Sequence, residues 1–281
     1  MLARVRTAMR RATFARMHSA SLRFQTLALS AQGSVLHVKL NRPEVRNAFN
    51  GAVVRDLSEL FAAIDADDAV RVVVLAGEGK SFCAGADLAW MTEQASLPRD
   101  ANERGAAEMA GMFLRIAWCR KPVVARIHGH ALGGGSGLTA AVDCAICADD
   151  TVFGLTEVKL GIVPAVISPF VMQKIGAGRA RTLFLTGERF DGREAERFGL
   201  VHKAVPAAAL DAEVARVVTE LLGAGPAALA SAKGLIRAVD GLALDAALPL
   251  TSRWIADLRT TEEAGEGMTA FLEKRKPRWQ A

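Results

Sequence analysis

An α/β fold is predicted by three features of the sequence. Runs rich in β-branched residues recur at 35–40, 71–75, 123–127 and 142–147, stretches with apolar residues at helical spacing alternate with them, and the chain beyond Ala207 is Ala/Leu-rich and helical in pattern. At 281 residues, 51% hydrophobic and 23% charged, the chain can bury a substantial core as one large domain or two smaller ones.

In chain order, residues 24–30 and 35–40 alternate apolar and polar like hairpin arms joined at Gln32-Gly33. Asn41-Arg42-Pro43 breaks the second arm. Asn50 then stands as an N-cap before Val53, Val54, Leu57, Leu60, Phe61 and Ile64, which recur at helical spacing. Residues 71–75 return to strand, and 100–118 read as a long amphipathic helix. Pro122 opens the next strand, 123–127, which stops at His128-Gly129. The cluster Gly133, Gly134, Gly135 and Gly137 then opens an apolar helix reaching Val142, and residues 142–147 and 156–160 read as strands. From Leu160 the pattern becomes short helices broken at 168–170, 176–178 and 186–187, followed by helix, turn and edge strand over 190–201. Gly223, Gly225, Pro226 and Gly241 mark joints in the helical remainder. The expected division is a basic leader or early-called start at 1–22, a core at 23–206 and a helical region at 207–281.

The net charge of +5 is misleading until it is located. Residues 1–23 carry six arginines and no acid, which leaves the rest of the chain at −1. With no tyrosine and no aromatic-basic interleaving, nucleic acid is not expected as a partner. No apolar run approaches a membrane span. The Arg-rich leader resembles a mitochondrial transit peptide, but arginine far outnumbers lysine and alanine is abundant, so a bacterial cytoplasmic protein is expected, with the mitochondrial matrix as the alternative. Cys144-Ala-Ile-Cys147 lies in an apolar run without a second pair, and His128 and His130 lack a third ligand, so no metal is expected.

The glycines allow several readings. Gly135-x-Gly137-x-x-Ala140 with Glu157 matches a dinucleotide fingerprint, but His128 to Leu132 separate it from the strand, and no lysine follows to make a phosphate loop. Close packing is a second reading. The third is an anion hole built from backbone amides, and the small residues of Ala84-Gly85-Ala86-Asp87-Leu88, just after a strand, supply its other half.

Ala84-Gly85-Ala86-Asp87 followed by His130-Ala131-Leu132-Gly133-Gly134-Gly135 resembles the enoyl-CoA hydratase/isomerase, or crotonase, superfamily. The resemblance runs from Leu40-Asn41-Arg42-Pro43 through Asn47-Ala48 to residues 267–275. It implies a spiral of repeated ββα units with a C-terminal helical oligomerisation region, assembled as a homotrimer or a dimer of trimers. It implies an acyl-CoA thioester substrate, with coenzyme A as part of the substrate and no separate cofactor. The N–H groups of Ala86 and Gly134 would stabilise an enolate oxygen, and Glu157 would move protons. Coenzyme A would lie against Asn47, Ala48, Ala84, Asp87 and Leu88, with Phe271 and Lys274 from the C-terminal helix. Two-glutamate hydratases of the family carry an acid where this chain has Gly137. The stretch 153–170 is similar to the bacterial methylglutaconyl-CoA hydratase group of leucine catabolism, which implies hydration of a branched or substituted 2-enoyl-CoA such as 3-methylglutaconyl-CoA. A Δ3-Δ2 isomerase using Glu157 alone is the alternative, and an inactive scaffold or RNA-binding protein is the alternative of another class.

Overall fold

The computed structural model describes residues 19–280. Strands β1 (Leu27–Gln32) and β2 (Val35–Leu40) form the expected hairpin, in the register Leu27 opposite Leu40. The turn needs a positive φ, which Gly33 supplies at +59°. Helix α1 (Gly51–Ala66) starts where the Asn50 side chain accepts from Val53 N–H, and buries the stripe Val53, Val54, Leu57, Leu60, Phe61 and Ile64. Then follow β3 (Val72–Gly77), α2 (Leu88–Ser96), α3 (Arg99–Trp118), β4 (Val123–Ile127), β5 (His130–Leu132), α4 (Gly134–Ala141), β6 (Cys144–Ala148) and β7 (Val152–Gly154). The chain continues through α5 (Ser168–Thr186), β8 (Arg189–Phe190), α6 (Gly192–Phe198), β9 (Lys203–Val205), α7 (Leu210–Gly223), α8 (Pro226–Val239), α9 (Leu244–Arg259) and α10 (Glu262–Leu272).

Six strands make one sheet in the order β1-β2-β3-β4-β6-β9, parallel except for the first pair. A smaller sheet, β5-β7-β8, lies beyond it, and a bridge between Cys83 and Ala131 extends this sheet toward the segment after β3. Successive turns therefore give one strand to the large sheet and one short extended piece to the small one. This is the ββα spiral that the resemblance implies. The bend between β4 and β5 is made at Gly129, whose φ is +66° and where any Cβ would collide with the Lys80 carbonyl.

The period-two alternation of the central strands divides the interior. Val73, Leu75, Val123, Ala125, Ile127, Ala145 and Cys147 face a core shared with α1, α3 and α4, while Val72, Val74, Val124, Ile146 and Ala148 face α7 through Leu210 and Val214. Strands buried on both faces read as continuous apolar runs, which is why they were legible. Cys144 and Cys147, three apart on β6, consequently pack on opposite faces of the sheet.

Three expectations change. Residues 156–160 are a 3-10 turn over Glu157–Leu160, closed by Gly161 at φ +76°, and the strand lies earlier, at β7. The break expected at 176–178 is present, since Gly176, at φ 72° and ψ 158°, interrupts α5 with non-helical backbone. Helix α2 is additional, nucleated by Asp87, whose carboxylate accepts from Ala89 and Trp90 N–H. The third change concerns the C-terminal apolar layer. Its first helix, α7, is covered by the chain's own sheet, so exposed apolar surface is confined to α8–α10, at Ile236, Leu244, Leu248, Ile255, Met268, Phe271 and Leu272.

The leader expected at 1–22 lies outside the described residues up to position 18. Ser19–Ser21 already form a 3-10 turn, and Ser19 is buried, donating from both N and Oγ to Asp67 Oδ2 at 2.8 Å. Packed structure thus begins a few residues before the expected boundary. Among the described residues, no helix is long and apolar enough to cross a membrane.

Candidate active site

Two backbone segments and one carboxylate converge at the ends of the parallel strands. The first segment, 81–87, is held from below by Asn47, which is buried at φ +58°, a conformation that asparagine tolerates. Its Nδ2 donates to the carbonyls of Glu78 (2.9 Å) and Ser81 (2.8 Å), while its Oδ1 accepts from Arg42 N–H at 2.8 Å. Cys83 N–H then donates to His130 O, and Cys83 O accepts from Leu132 N–H. Further on, Phe49 N–H donates to Gly85 O at 2.7 Å and Asp87 N–H donates to Phe49 O at 2.8 Å. In a parallel bridge of this kind the intervening residue's own N–H points away from its partner strand. That residue is Ala86, and among the described residues its N–H has no acceptor.

The second segment is the start of α4. As the first residue of the helix, Gly134 has an N–H with no acceptor in the preceding turn, and the helix dipole adds positive potential there. The glycines bring this terminus against its surroundings. A Cβ on Gly134 would lie 2.7 Å from the Phe49 ring, and one on Gly135 would collide with Cys83 O. Gly133, at φ +49°, donates its N–H to Gly154 O at 2.8 Å and lies beside Gly85, whose Cα is 3.7 Å from where a Gly133 Cβ would stand. The glycine cluster is therefore both a packing device and the means of presenting amides.

Glu157 completes the site from the 3-10 turn after β7. Its Oε1 is 3.1 Å from the Cβ position of Gly133, which puts the carboxyl against the residue preceding Gly134. Its Oε2 is buried and has no hydrogen-bond partner. Burial pushes its pKa up, opposed only by a backbone hydrogen bond. A buried carboxylate oxygen left unpaired is costly and rare in folded proteins, and it is what a proton-transfer group facing a substrate site would show.

A family model described as enoyl-CoA hydratase/isomerase matches residues 30–281. The chain is an enzyme of the enoyl-CoA hydratase/isomerase family. The crystal structure of an enoyl-CoA hydratase from Shewanella pealeana is 35% identical with a TM-score of 0.88, covering 91% of this chain and 96% of that one. Pseudomonas aeruginosa AtuE is 39% identical with a TM-score of 0.88, covering 92% of this chain and all of the other. The mevalonyl-coenzyme A hydratase sidH of Aspergillus fumigatus is 34% identical over 250 residues, 88% of this chain and 91% of that protein.

One position bears on the second acid that the resemblance led one to look for. At Gly137, a Cβ would overlap Ile167 Cγ2 and lie 2.9 Å from Ile167 Cβ and 3.2 Å from Phe113 Cε1. The space beside Gly137 is thus filled by hydrocarbon. Phe113 in turn stacks obliquely between Phe49 and Phe170, at centroid distances of 5.9 and 5.8 Å. The sequence singles out Gly137 but not its partners, because Phe113 and Ile167 look like ordinary core residues of two other elements.

The residues expected to hold coenzyme A divide into two groups. Ala84, Ala86 and Leu88 border the site with small or exposed side chains, and Leu88 is 69% exposed. The side chains of Asn47 and Asp87 are spent internally, since Asp87 caps α2 and pairs with Arg42 Nη2 at 3.0 Å while Arg42 Nη1 donates to Ala48 O at 2.6 Å. What this stretch can offer a ligand is backbone. Phe271 and Lys274 lie at the exposed end of α10, which packs on α9, and no described contact joins them to the segments that carry the Ala86 and Gly134 amides.

His128 and His130 brace the same loops. His128 bonds Gly79 O through Nε2 at 2.8 Å and Arg126 through Nδ1 at 3.1 Å, and His130 Nδ1 lies 3.3 Å from Ser81 Oγ. Burial, with Arg46 and Arg189 nearby, lowers the His130 pKa, so its ring is neutral at pH 7. Among the described residues, no group of three or more His, Cys, Asp or Glu side chains is placed to hold a metal ion.

Proposed function

We propose that this enzyme adds water to a substituted 2-enoyl-CoA thioester and removes it in reverse, with Glu157 as the only carboxyl that moves protons. The observation that carries the reading is the Glu157 carboxyl lying against Gly133, one residue from a free helix N-terminal amide, with Oε2 buried and unpartnered. In this scheme the thioester oxygen accepts from the N–H groups of Ala86 and Gly134. Each such donor is typically worth about 3 kcal/mol to the transition state, because charge develops on that oxygen as the enolate forms. Ionised Glu157 takes a proton from water while the water oxygen bonds to carbon 3. The protonated carboxyl then returns that proton to carbon 2, collapsing the enolate, so one group serves as base and acid in turn.

Support for a substituted acyl group comes from the hydrocarbon at Ile167 and Phe113, and from the Aspergillus relative named for a mevalonyl thioester. 3-Methylglutaconyl-CoA is the specific candidate. The single carboxylate also favours a second reading, transfer of a proton from carbon 2 to carbon 4 of a 3-enoyl-CoA. Incubation with crotonyl-CoA, 3-methylglutaconyl-CoA and a 3-enoyl-CoA, following absorbance of the conjugated thioester, separates these. Loss of absorbance with the 2-enoyl substrates supports hydration, a gain with the 3-enoyl substrate alone supports isomerisation, and no change with any of them sinks both.

We further propose that α8–α10 dock on other copies of the chain, as a trimer or a dimer of trimers, covering the exposed row Ile236, Leu244, Leu248, Ile255 and Phe271. Light scattering at micromolar concentration should give a mass three or six times 29.8 kDa. A stable monomer would contradict the assignment.

A further inference from the structure

We infer that Arg42 is a positioning residue for the reaction, holding the Ala86 N–H in the direction from which it meets the thioester oxygen; the inference rests on the thioester reading above. The Ala86 N–H and the Gly85 C=O belong to one planar trans peptide, so they point in opposite directions. Phe49 N–H donates to that carbonyl at 2.7 Å. Whatever fixes the Phe49 backbone therefore fixes the direction of the Ala86 amide.

Arg42 grips both sides of this peptide. Its Nη1 donates to the carbonyl of Ala48, the residue before Phe49, at 2.6 Å, and its Nη2 donates to Oδ2 of Asp87, the residue after Ala86, at 3.0 Å. Asp87 N–H in turn donates to Phe49 O at 2.8 Å, which closes the frame around Ala86. The hydrogen bond from Arg42 holds the Asp87 carboxyl below its ordinary pKa, so the pair is ionised at neutral pH. A guanidinium spans the two acceptors with separate nitrogens, whereas a lysine ammonium is a single point donor.

The turn that carries Phe49 needs such a restraint. Arg46 and Asn47 are consecutive residues at positive φ, 52° and 58°, and Arg46 has neither the freedom of glycine nor the short polar side chain that asparagine uses there. Backbone in this region persists only where its surroundings fix it. Arg42 does so a second time, since its N–H donates to Asn47 Oδ1 and its carbonyl accepts from Asn47 N–H, both at 2.8 Å.

The test uses Arg42→Lys, which keeps a charge for Asp87 but not the fork, and Asp87→Asn, which keeps an oxygen to cap α2 but loses the ion pair. Intact sites are counted by calorimetric titration with acetyl-CoA, which has no double bond to hydrate. The kcat for the thioester that the wild type turns over fastest, among those named above, is then expressed per counted site. A merely structural defect lowers the count, whereas a misdirected amide lowers turnover at the sites that remain. Turnover per site is expected to fall about 10-fold or more in Arg42→Lys, toward the roughly 100-fold typical of losing one such donor, and about 3-fold or more in Asp87→Asn, with KM nearly unchanged. Turnover per site within about 2-fold of wild type in Arg42→Lys overturns the role of Arg42 and leaves the thioester reading standing. Loss of countable sites in both variants overturns it too, since Arg42 then holds the fold rather than the amide. A wild type that turns over none of the thioesters overturns both readings.

Discussion

Glu157→Gln is expected to lower kcat by about 100-fold or more on every thioester the enzyme turns over, with binding of the thioester retained, because the space beside Gly137 holds Ile167 and Phe113 and no carboxyl that could take its place. Stability should move the other way or not at all. The native pKa of Glu157 is raised by burial. The neutral form is favoured in the fold, so the carboxyl's contribution is fully present below its unfolded pKa and is lost as pH rises through the folded value. Above that window glutamine, always neutral, removes a penalty that the wild type carries. Thermal unfolding at pH 7 should therefore show a Tm equal to or above that of the wild type. A variant that is inactive because it has unfolded would remove the support this experiment gives.

Gly137→Glu is expected to fail as a protein rather than to gain a second catalytic acid. Its Cβ would overlap Ile167 and crowd Phe113, and its carboxylate would be buried without a partner among aromatic rings. Overpacking alone costs about 1–3 kcal/mol, and an unpaired buried charge adds several more unless it is neutralised. The sum approaches the whole stability of an ordinary domain. Soluble yield and denaturant midpoint measure this. Adding Ile167→Ala should recover a large part of the loss, because the two positions share one volume and so do not act additively. A stable Gly137→Glu single variant would show that the wall yields more easily than its packing indicates.

Much of this was legible because each signal was local. The continuous apolar run from Val72 to Leu75 marked a strand buried on both faces, the stripe from Val53 to Ile64 reported its partner through periodicity, and the Gly133–Gly137 cluster announced a backbone that had to approach something closely. The two segments that present amides without acceptors, at Ala86 and Gly134, followed from the same cluster with Ala84–Asp87. What was not legible depends on residues distant in sequence. The turn at Glu157–Leu160 reads as a strand because Val158 and Leu160 alternate, and only the closure at Gly161, with Ile162 N–H on Glu157 O, makes it a turn that aims the carboxyl. Likewise Asn47 and Asp87 are polar residues in a predicted binding loop, and nothing local shows that their side chains are spent on Glu78, Ser81, Arg42 and the start of α2. The contact of Ile167 with Gly137 spans thirty positions and two helices, and no pattern in either neighbourhood encodes it.

The central claim is that one carboxyl, Glu157, carries all the proton transfer, and the dependence of kcat/KM on pH tests it most directly. A free glutamic acid titrates near 4.3, and burial raises Glu157 above its ordinary value. The ionised form is the one that begins the reaction in either direction. The prediction is that kcat/KM rises through a single ionisation whose pKa lies above the ordinary glutamate range, and that this limb disappears from the residual activity of Glu157→Gln. A limb with two ionisations, or the same limb retained in Glu157→Gln, would mean that another group moves the proton.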